Sequence, residues 1–173
     1  MRMLFSIDKR DYDPAAPVFV RPSARGLIWQ DGKLAMIHSL SYDYYKFPGG
    51  GIEGGEDPIT AMIRETREEA GLVIIPESVK EYGIVHRVQK SDKDPDVRFV
   101  QDNYYYLCAA EDEAVSQNLQ GYEAEEGYEL VYVDPRVAIE KNRHLGKTPY
   151  SPTMFEREAR VLEMLIEEGY FDV

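Results

Sequence analysis

Between Phe47 and Leu72 the chain packs five glycines into seven residues, at positions 49, 50, 51, 54 and 55, and then runs directly into a helix signal. Glycine at this density is entropically costly, so it marks a backbone that must turn tightly or pass close to a ligand. The element that follows is specified at both ends. Asp57 is an N-cap residue, Pro58 suits the first helical position, and Gly71 stops the helix. A loop–helix unit is thereby fixed mid-chain, and the rest of the fold must accommodate it.

At about 100° per residue, Ile59, Met62, Ile63, Thr66 and Ala70 form one apolar stripe. Glu65, Glu68 and Glu69 fall on a second arc beside it, so three carboxylates at i, i+3 and i+4 converge on one patch. Arg64 stands four residues before Glu68 and can pair with it. Carboxylates crowded in this way repel one another and call for a counter-charge. A hard, oxygen-seeking divalent cation, Mg²⁺ or Mn²⁺, supplies it. A solvated acidic helix face is the plain alternative. The glycine loop, the fixed cap and a further acid, Glu56, just ahead of the helix argue against it.

The spacing Gly50-x5-Glu56-x7-Arg64-Glu65-Thr66-Arg67-Glu68-Glu69-Ala70-Gly71-Leu72 resembles the Nudix box, G-x5-E-x7-R-E-U-x-E-E-x-G-U, where U is a bulky aliphatic. Thr66 is the one departure; it lies on the core stripe, where its hydroxyl is expected to bond back to the Met62 carbonyl. The resemblance implies an α/β/α sandwich around a mixed β-sheet and a metal-dependent hydrolase of nucleoside diphosphates linked to another moiety. By position, Glu65, Glu68 and Glu69 would bind the cations with the carbonyl of Gly49. Arg64 would orient Glu65 or Glu68, and Glu56 would support the helix start. The family often adds an acidic ligand from a later loop; within the acid-rich stretch 111–129, Glu126 and Glu123 are the expected candidates, Glu126 taken first. Branch markers for particular substrates are missing: Val88 stands where the ADP-ribose branch has proline, and residues 88–90 lack the tyrosine of the dinucleoside polyphosphate branch.

Away from the box, Asp31-Gly32 between the apolar runs 25–30 and 33–39 specifies a two-residue hairpin. A second extended pair is expected over 82–90 and 97–108, a further strand over 129–133, and a short helix from Asp134-Pro135. The stretch 1–24 reads as a strand or arm followed by a loop, 111–129 as a solvated acidic loop, and 153–168 as an amphipathic helix closed by Gly169. With 173 residues and no internal repeat, one α/β domain spanning 1–173 is expected.

The net charge of −12, from 20 basic and 32 acidic residues, speaks against a basic track for long nucleic acid but leaves a cation-bridged small phosphorylated nucleotide as substrate. No apolar run is long enough to span a membrane, and the charged opening does not read as a signal peptide. A single cysteine, Cys108, fits a reducing cytoplasm. On the substrate side, Arg25, His38, Lys46 and Arg87 are the candidate contacts, flanked by Lys90, with Tyr42, Tyr44 and Tyr45 as stacking aromatics. Removal of diphosphate from RNA 5′ ends and nucleotide sensing without cleavage are the competing functions. The chain is expected to be a monomer or homodimer.

Overall fold

The computed structural model describes residues 1–171. Ten strands and four helices follow in chain order: β1 (Met3–Asp8), β2 (Val18–Val20), β3 (Ser23–Leu27), β4 (Trp29–Gln30), β5 (Lys33–Ser39), β6 (Tyr45–Lys46), β7 (Gly49–Gly51), α1 (Pro58–Ala70), β8 (Lys80–Lys90), β9 (Arg98–Leu107), α2 (Gly121–Glu126), β10 (Tyr128–Val133), α3 (Pro135–Arg143) and α4 (Pro152–Glu167). The strands form two sheets rather than one. A six-stranded mixed sheet runs β1-β8-β9-β3-β7, with β2 also on β9, and a four-stranded antiparallel sheet runs β10-β5-β4, with β6 also on β5.

The α/β/α layering follows from alternation along β5. Ala35 and Ile37 join Ala61 and Met62 of α1 in one core cluster. Leu34 and Met36, pointing the other way, join Ala138 of α3 and Val161, Leu162 and Leu165 of α4 in a second. Each of these side chains is fully buried.

The hairpin forms as its sequence specifies, with Asp31 and Gly32 at φ 52° and 74° and Gln30 facing Lys33. Its first arm is not one strand. The chain leaves the six-stranded sheet after Leu27 and enters the four-stranded one at Trp29, and the Ile28 carbonyl accepts from Ala35 N at 2.7 Å. The 1–24 stretch is more than an arm, because β1 pairs in parallel with β8 and β2 with β9. The solvated loop expected over 111–129 contains α2, which a capping box between Gln120 and Glu123 opens and Gly127, at φ 69°, closes.

Candidate active site

The glycine loop is built to admit Glu65. Gly49–Gly51 is β7, laddered antiparallel to Ser23–Arg25 of β3. A Cβ on Gly50 would stand 2.6 Å from Glu65 Oε2, so the bare backbone makes room for that carboxylate. Asp57 caps α1 by accepting from Ile59 N and Thr60 N at 3.2 and 3.1 Å, and Gly71 ends it at φ 67°.

Arg64 ties this corner together. Its Nε and Nη2 donate to the two Glu56 oxygens at 2.8 and 2.9 Å, its Nη1 to Glu65 at 2.8 Å, and its Nη2 to the Gly51 carbonyl at 3.3 Å. Glu68 lies farther from Arg64, at 3.5 Å. Glu56 also accepts from Glu53 N, and the Arg64 guanidinium holds its carboxyl below the usual range.

Glu69 is 1% exposed. Lys46 Nζ stands 2.9 Å from both of its oxygens, in hydrogen-bonding geometry with Oε1 alone, and Oε2 is buried without a hydrogen-bond partner. Burial pushes this carboxyl up to about 7 despite the Lys46 ammonium beside it. Burial and the Glu65 charge also raise Glu68 above the ordinary carboxylate range.

One oxygen each from Glu65, Glu69 and Glu123 lie within 4.8 Å of one another. The expectations for the loop acid and for Glu68 change accordingly. Glu123, at the start of α2, joins the group, whereas Glu126 turns into the core and accepts from Tyr44 at 2.7 Å, Ser39 at 3.0 Å and Tyr150. These three bonds pin α2 to Ser39 of β5 and to the Tyr44 and Tyr150 loops, and Glu126 lies outside the three-oxygen group. Glu68 lies outside the three-oxygen group. The loop ahead of α2 is itself stitched to α1, with Val115 N bonded to Gly71 O, Asn118 N to Glu68 O and Gln117 Nε2 to Glu69 O.

A cavity of about 620 Å³ opens beside these carboxylates. Its floor is one face of the six-stranded sheet, paved by the alternating residues Ser23 and Arg25 of β3, Phe99 and Gln101 of β9, and Arg87 and Gln89 of β8. Arg25 and Arg87 are therefore pocket residues. Lys46 also lines the cavity, but as the counter-charge of Glu69. His38 does not: its ring bonds Asp43 at 2.7 Å and stacks on Tyr45 at 4.7 Å, away from the cavity. Lys90 is exposed at the end of β8. Of the aromatics, Tyr44 is core and bonds Tyr128 at 2.9 Å, while Tyr122, half exposed, lines the cavity. Tyr122 and Arg157 were not foreseen. The Gln120-x2-Glu123 box followed by Gly127 was the available signal for α2; α4 carries no comparable mark for Arg157.

The Thr66 hydroxyl, expected to bond back to Met62, has no hydrogen-bond partner in its fully buried position.

The family model for the NUDIX domain matches residues 11–153, most of the chain. The chain belongs to the Nudix family. Among curated relatives, the RNA pyrophosphohydrolase of Acinetobacter baylyi is 34% identical over 85 residues, 43% of this chain and 50% of that protein. The match thus spans half the relative's length. Among solved structures, a Nudix hydrolase from Nitrosomonas europaea aligns with TM-score 0.59 at 17% identity, covering 88% of this chain and 89% of that one. The MutT protein of Bacillus halodurans aligns with TM-score 0.56 at 17% identity, covering 82% of each. At such identities these neighbours establish the Nudix fold. No helix among the described residues is long and apolar enough to cross a membrane.

Proposed function

We propose that this Nudix protein hydrolyses the diphosphate linkage of a small nucleotide, either a nucleoside diphosphate joined to another moiety or a nucleoside triphosphate, with Mg²⁺ or Mn²⁺ held at Glu65, Glu69 and Glu123. The observation that carries the proposal is the convergence of three carboxylates from α1 and α2 at the edge of a cavity with a cationic floor. An all-oxygen donor set suits a hard divalent cation, and Glu69, which lines the cavity, keeps its Oε2 buried without a hydrogen-bond partner.

When bound, the cation polarises a phosphoryl oxygen and lowers the pKa of the attacking water. The protein's own contribution is positioning. Arg64 fixes Glu65, Lys46 fixes Glu69, and the capping box of α2 fixes Glu123. The Gly49 carbonyl stands as a further ligand in this proposal. Glu68, beside the group but outside it and more basic than an ordinary carboxylate, is the proton acceptor for the water. Tyr122 offers an exposed ring on which a base can stack. The lone, half-buried Cys108 suits a reducing cytoplasm, where nucleotides are found.

A second reading, removal of diphosphate from RNA 5′ ends, is favoured by the name of the Acinetobacter relative. A Mg²⁺-supplemented panel of nucleotide sugars, dinucleotides, triphosphates and 5′-triphosphorylated RNA, with products resolved by chromatography, tests both. Cleavage of a small nucleotide that excess RNA does not inhibit supports the first reading; inhibition by RNA supports the second. Tight binding with no product from any compound overturns both.

A further inference from the structure

The cationic floor of the cavity is unbalanced. Arg25, Arg87 and Arg157 are all buried there, and one buried carboxylate, Glu158, serves them. Arg157 is fully engaged, with Glu158 on its Nε and Nη2 and with Gln101 and Asn103 on its Nη1. Arg25 reaches Glu158 at 3.8 Å and the Phe47 carbonyl at 3.2 Å.

Arg87 has neither. It is 6% exposed, its Nε is buried without a hydrogen-bond partner, and no carboxylate among the described residues comes within ion-pair distance. Its only hydrogen bond is a long one, from Nη1 to Thr153 at 3.4 Å, and the Phe99 ring lies 5.1 Å from the guanidinium carbon. Asp92, the acid that acts on it, is exposed at the rim and accepts from Ser151 N at 3.1 Å and Gln89 Nε2 at 3.3 Å. Burial and the Arg157 and Arg25 charges push Arg87 down to about 9, which leaves it cationic at neutral pH.

A buried, unpaired guanidinium is costly unless an anion completes it. From that geometry we propose that Arg87 is a specificity-determining residue that receives a phosphate monoester on the moiety joined through the diphosphate. The proposal rests on the hydrolase reading above and names its substrate class, a nucleoside diphosphate derivative carrying a further phosphate.

Position separates this subsite from the cleavage site. Glu65 lies against Gly50 of β7, and Arg87 is on β8, with β3 and β9 between them. Three strand spacings put about 14 Å between the Gly50 and Arg87 backbones, so the two lie toward opposite sides of the cavity. Charge selects the anion. Of the three guanidiniums, Arg87 alone has no carboxylate within ion-pair distance, and a phosphate monoester, close to doubly negative at neutral pH, answers that free cation more strongly than a singly charged carboxylate does. The Phe99 ring lies against the Arg87 guanidinium, and planar paired donors suit phosphate.

Inorganic phosphate is the probe, titrated into the protein in EDTA at constant ionic strength and read by thermal melting and calorimetry. Phosphate is expected to raise the melting temperature of the wild type by several degrees. Arg87→Gln is expected to melt no lower than wild type without phosphate and to show no phosphate response. Arg87→Lys, which keeps the charge and loses the paired donors, is expected to bind phosphate at least ~10-fold more weakly. A full phosphate response in either variant overturns the subsite, and so does no response in wild type.

With Mg²⁺, wild type is expected to prefer a dinucleotide bearing a 2′-phosphate over its unphosphorylated counterpart by at least ~10-fold in kcat/KM, with Arg87→Gln losing that preference through KM. Equal kcat/KM for the pair in wild type overturns the substrate class. Failure to cleave either compound counts against the hydrolase reading, while the metal-free titration still decides the subsite.

Discussion

Lys46 Nζ lies 2.9 Å from the Glu69 carboxylate, and both groups are buried. The lysine expected from sequence to contact substrate phosphates thus serves as an internal counter-charge, a stand-in for part of the cation's role in the metal-free protein. Burial outweighs that ammonium, and Glu69 retains its proton to about pH 7.

That retention gives the metal-free protein a distinctive pH dependence. Folded Glu69 titrates at about 7 against an ordinary 4.5, so the native state binds the extra proton between those values. Stability from this group is fully present below about 4.5 and is lost as pH rises to 7, an effect of about 3 kcal/mol. In EDTA, the difference between wild type and Glu69→Gln, followed by urea unfolding from pH 4.5 to 8, is expected to carry this slope. Adding Mg²⁺ at pH 8 should restore the lost stability to wild type. A flat difference across the window contradicts the assignment.

Glu123 and Glu126 sit one turn apart on the same six-residue helix but face different surroundings. Glu123→Gln removes one of the three converging carboxylates, so turnover is expected to fall at least ~10²-fold, as for Glu65→Gln, Glu68→Gln and Glu69→Gln, and the melting temperature of Glu123→Gln in EDTA should be little changed. Glu126→Gln instead weakens the anchor formed with Ser39, Tyr44 and Tyr150. It should lower the melting temperature by several degrees while keeping the Mg²⁺-induced stabilisation. Melting curves with and without Mg²⁺, set beside steady-state rates, distinguish the two residues, and the opposite assignment of effects would restore Glu126 as the ligand.

The contrast shows what the sequence could convey. The loop–helix unit, its caps, the hairpin turn and the carboxylate arc were legible because each depends on residues a few positions apart. What was not legible depends on pairings across the chain. Lys46 meets Glu69 over 23 positions, and Glu126 meets Tyr44 over 82. His38 and Lys46 lie on neighbouring short strands of one sheet, yet only Lys46 faces the cavity. No local pattern distinguishes them. Glu123 was named together with Glu126 from the acidic stretch, but nothing in that stretch shows which of the two meets Glu65 and Glu69 and which meets Tyr44.

Gly50 tests the fit between loop and helix. A Cβ there would stand 2.6 Å from Glu65 Oε2 and 2.7 Å from Cδ, so Gly50→Ala must displace the carboxylate. The neighbours met are the end of a flexible side chain, and Gly50 has no positive φ, so the fold should survive. The expected result is a ~10- to 100-fold weaker apparent Mg²⁺ affinity with a near-native melting temperature. At Gly49, with φ 139° and the Ala24 backbone against the same position, alanine should unfold the protein. Equal Mg²⁺ affinity in Gly50→Ala and wild type would show that Glu65 does not depend on the gap.

Thr66 is the one departure from the Nudix pattern, and its position predicts a gain on reverting it. The side chain is fully buried between α1 and the core, and Oγ1 has no hydrogen-bond partner. A buried unsatisfied hydroxyl costs about 1–3 kcal/mol, whereas a methyl in its place keeps the shape and adds apolar contact. Valine and threonine are similarly disposed to helix, so the backbone contributes little to the difference. Thr66→Val is therefore expected to stabilise the protein by at least ~1 kcal/mol, or about 2–4 °C in melting temperature for a chain of this size. Glu65, Glu68 and Glu69 lie on a different face of α1, so Mg²⁺ affinity should be unchanged. A drop in melting temperature would mean that the hydroxyl has a partner in solution, such as the Met62 carbonyl.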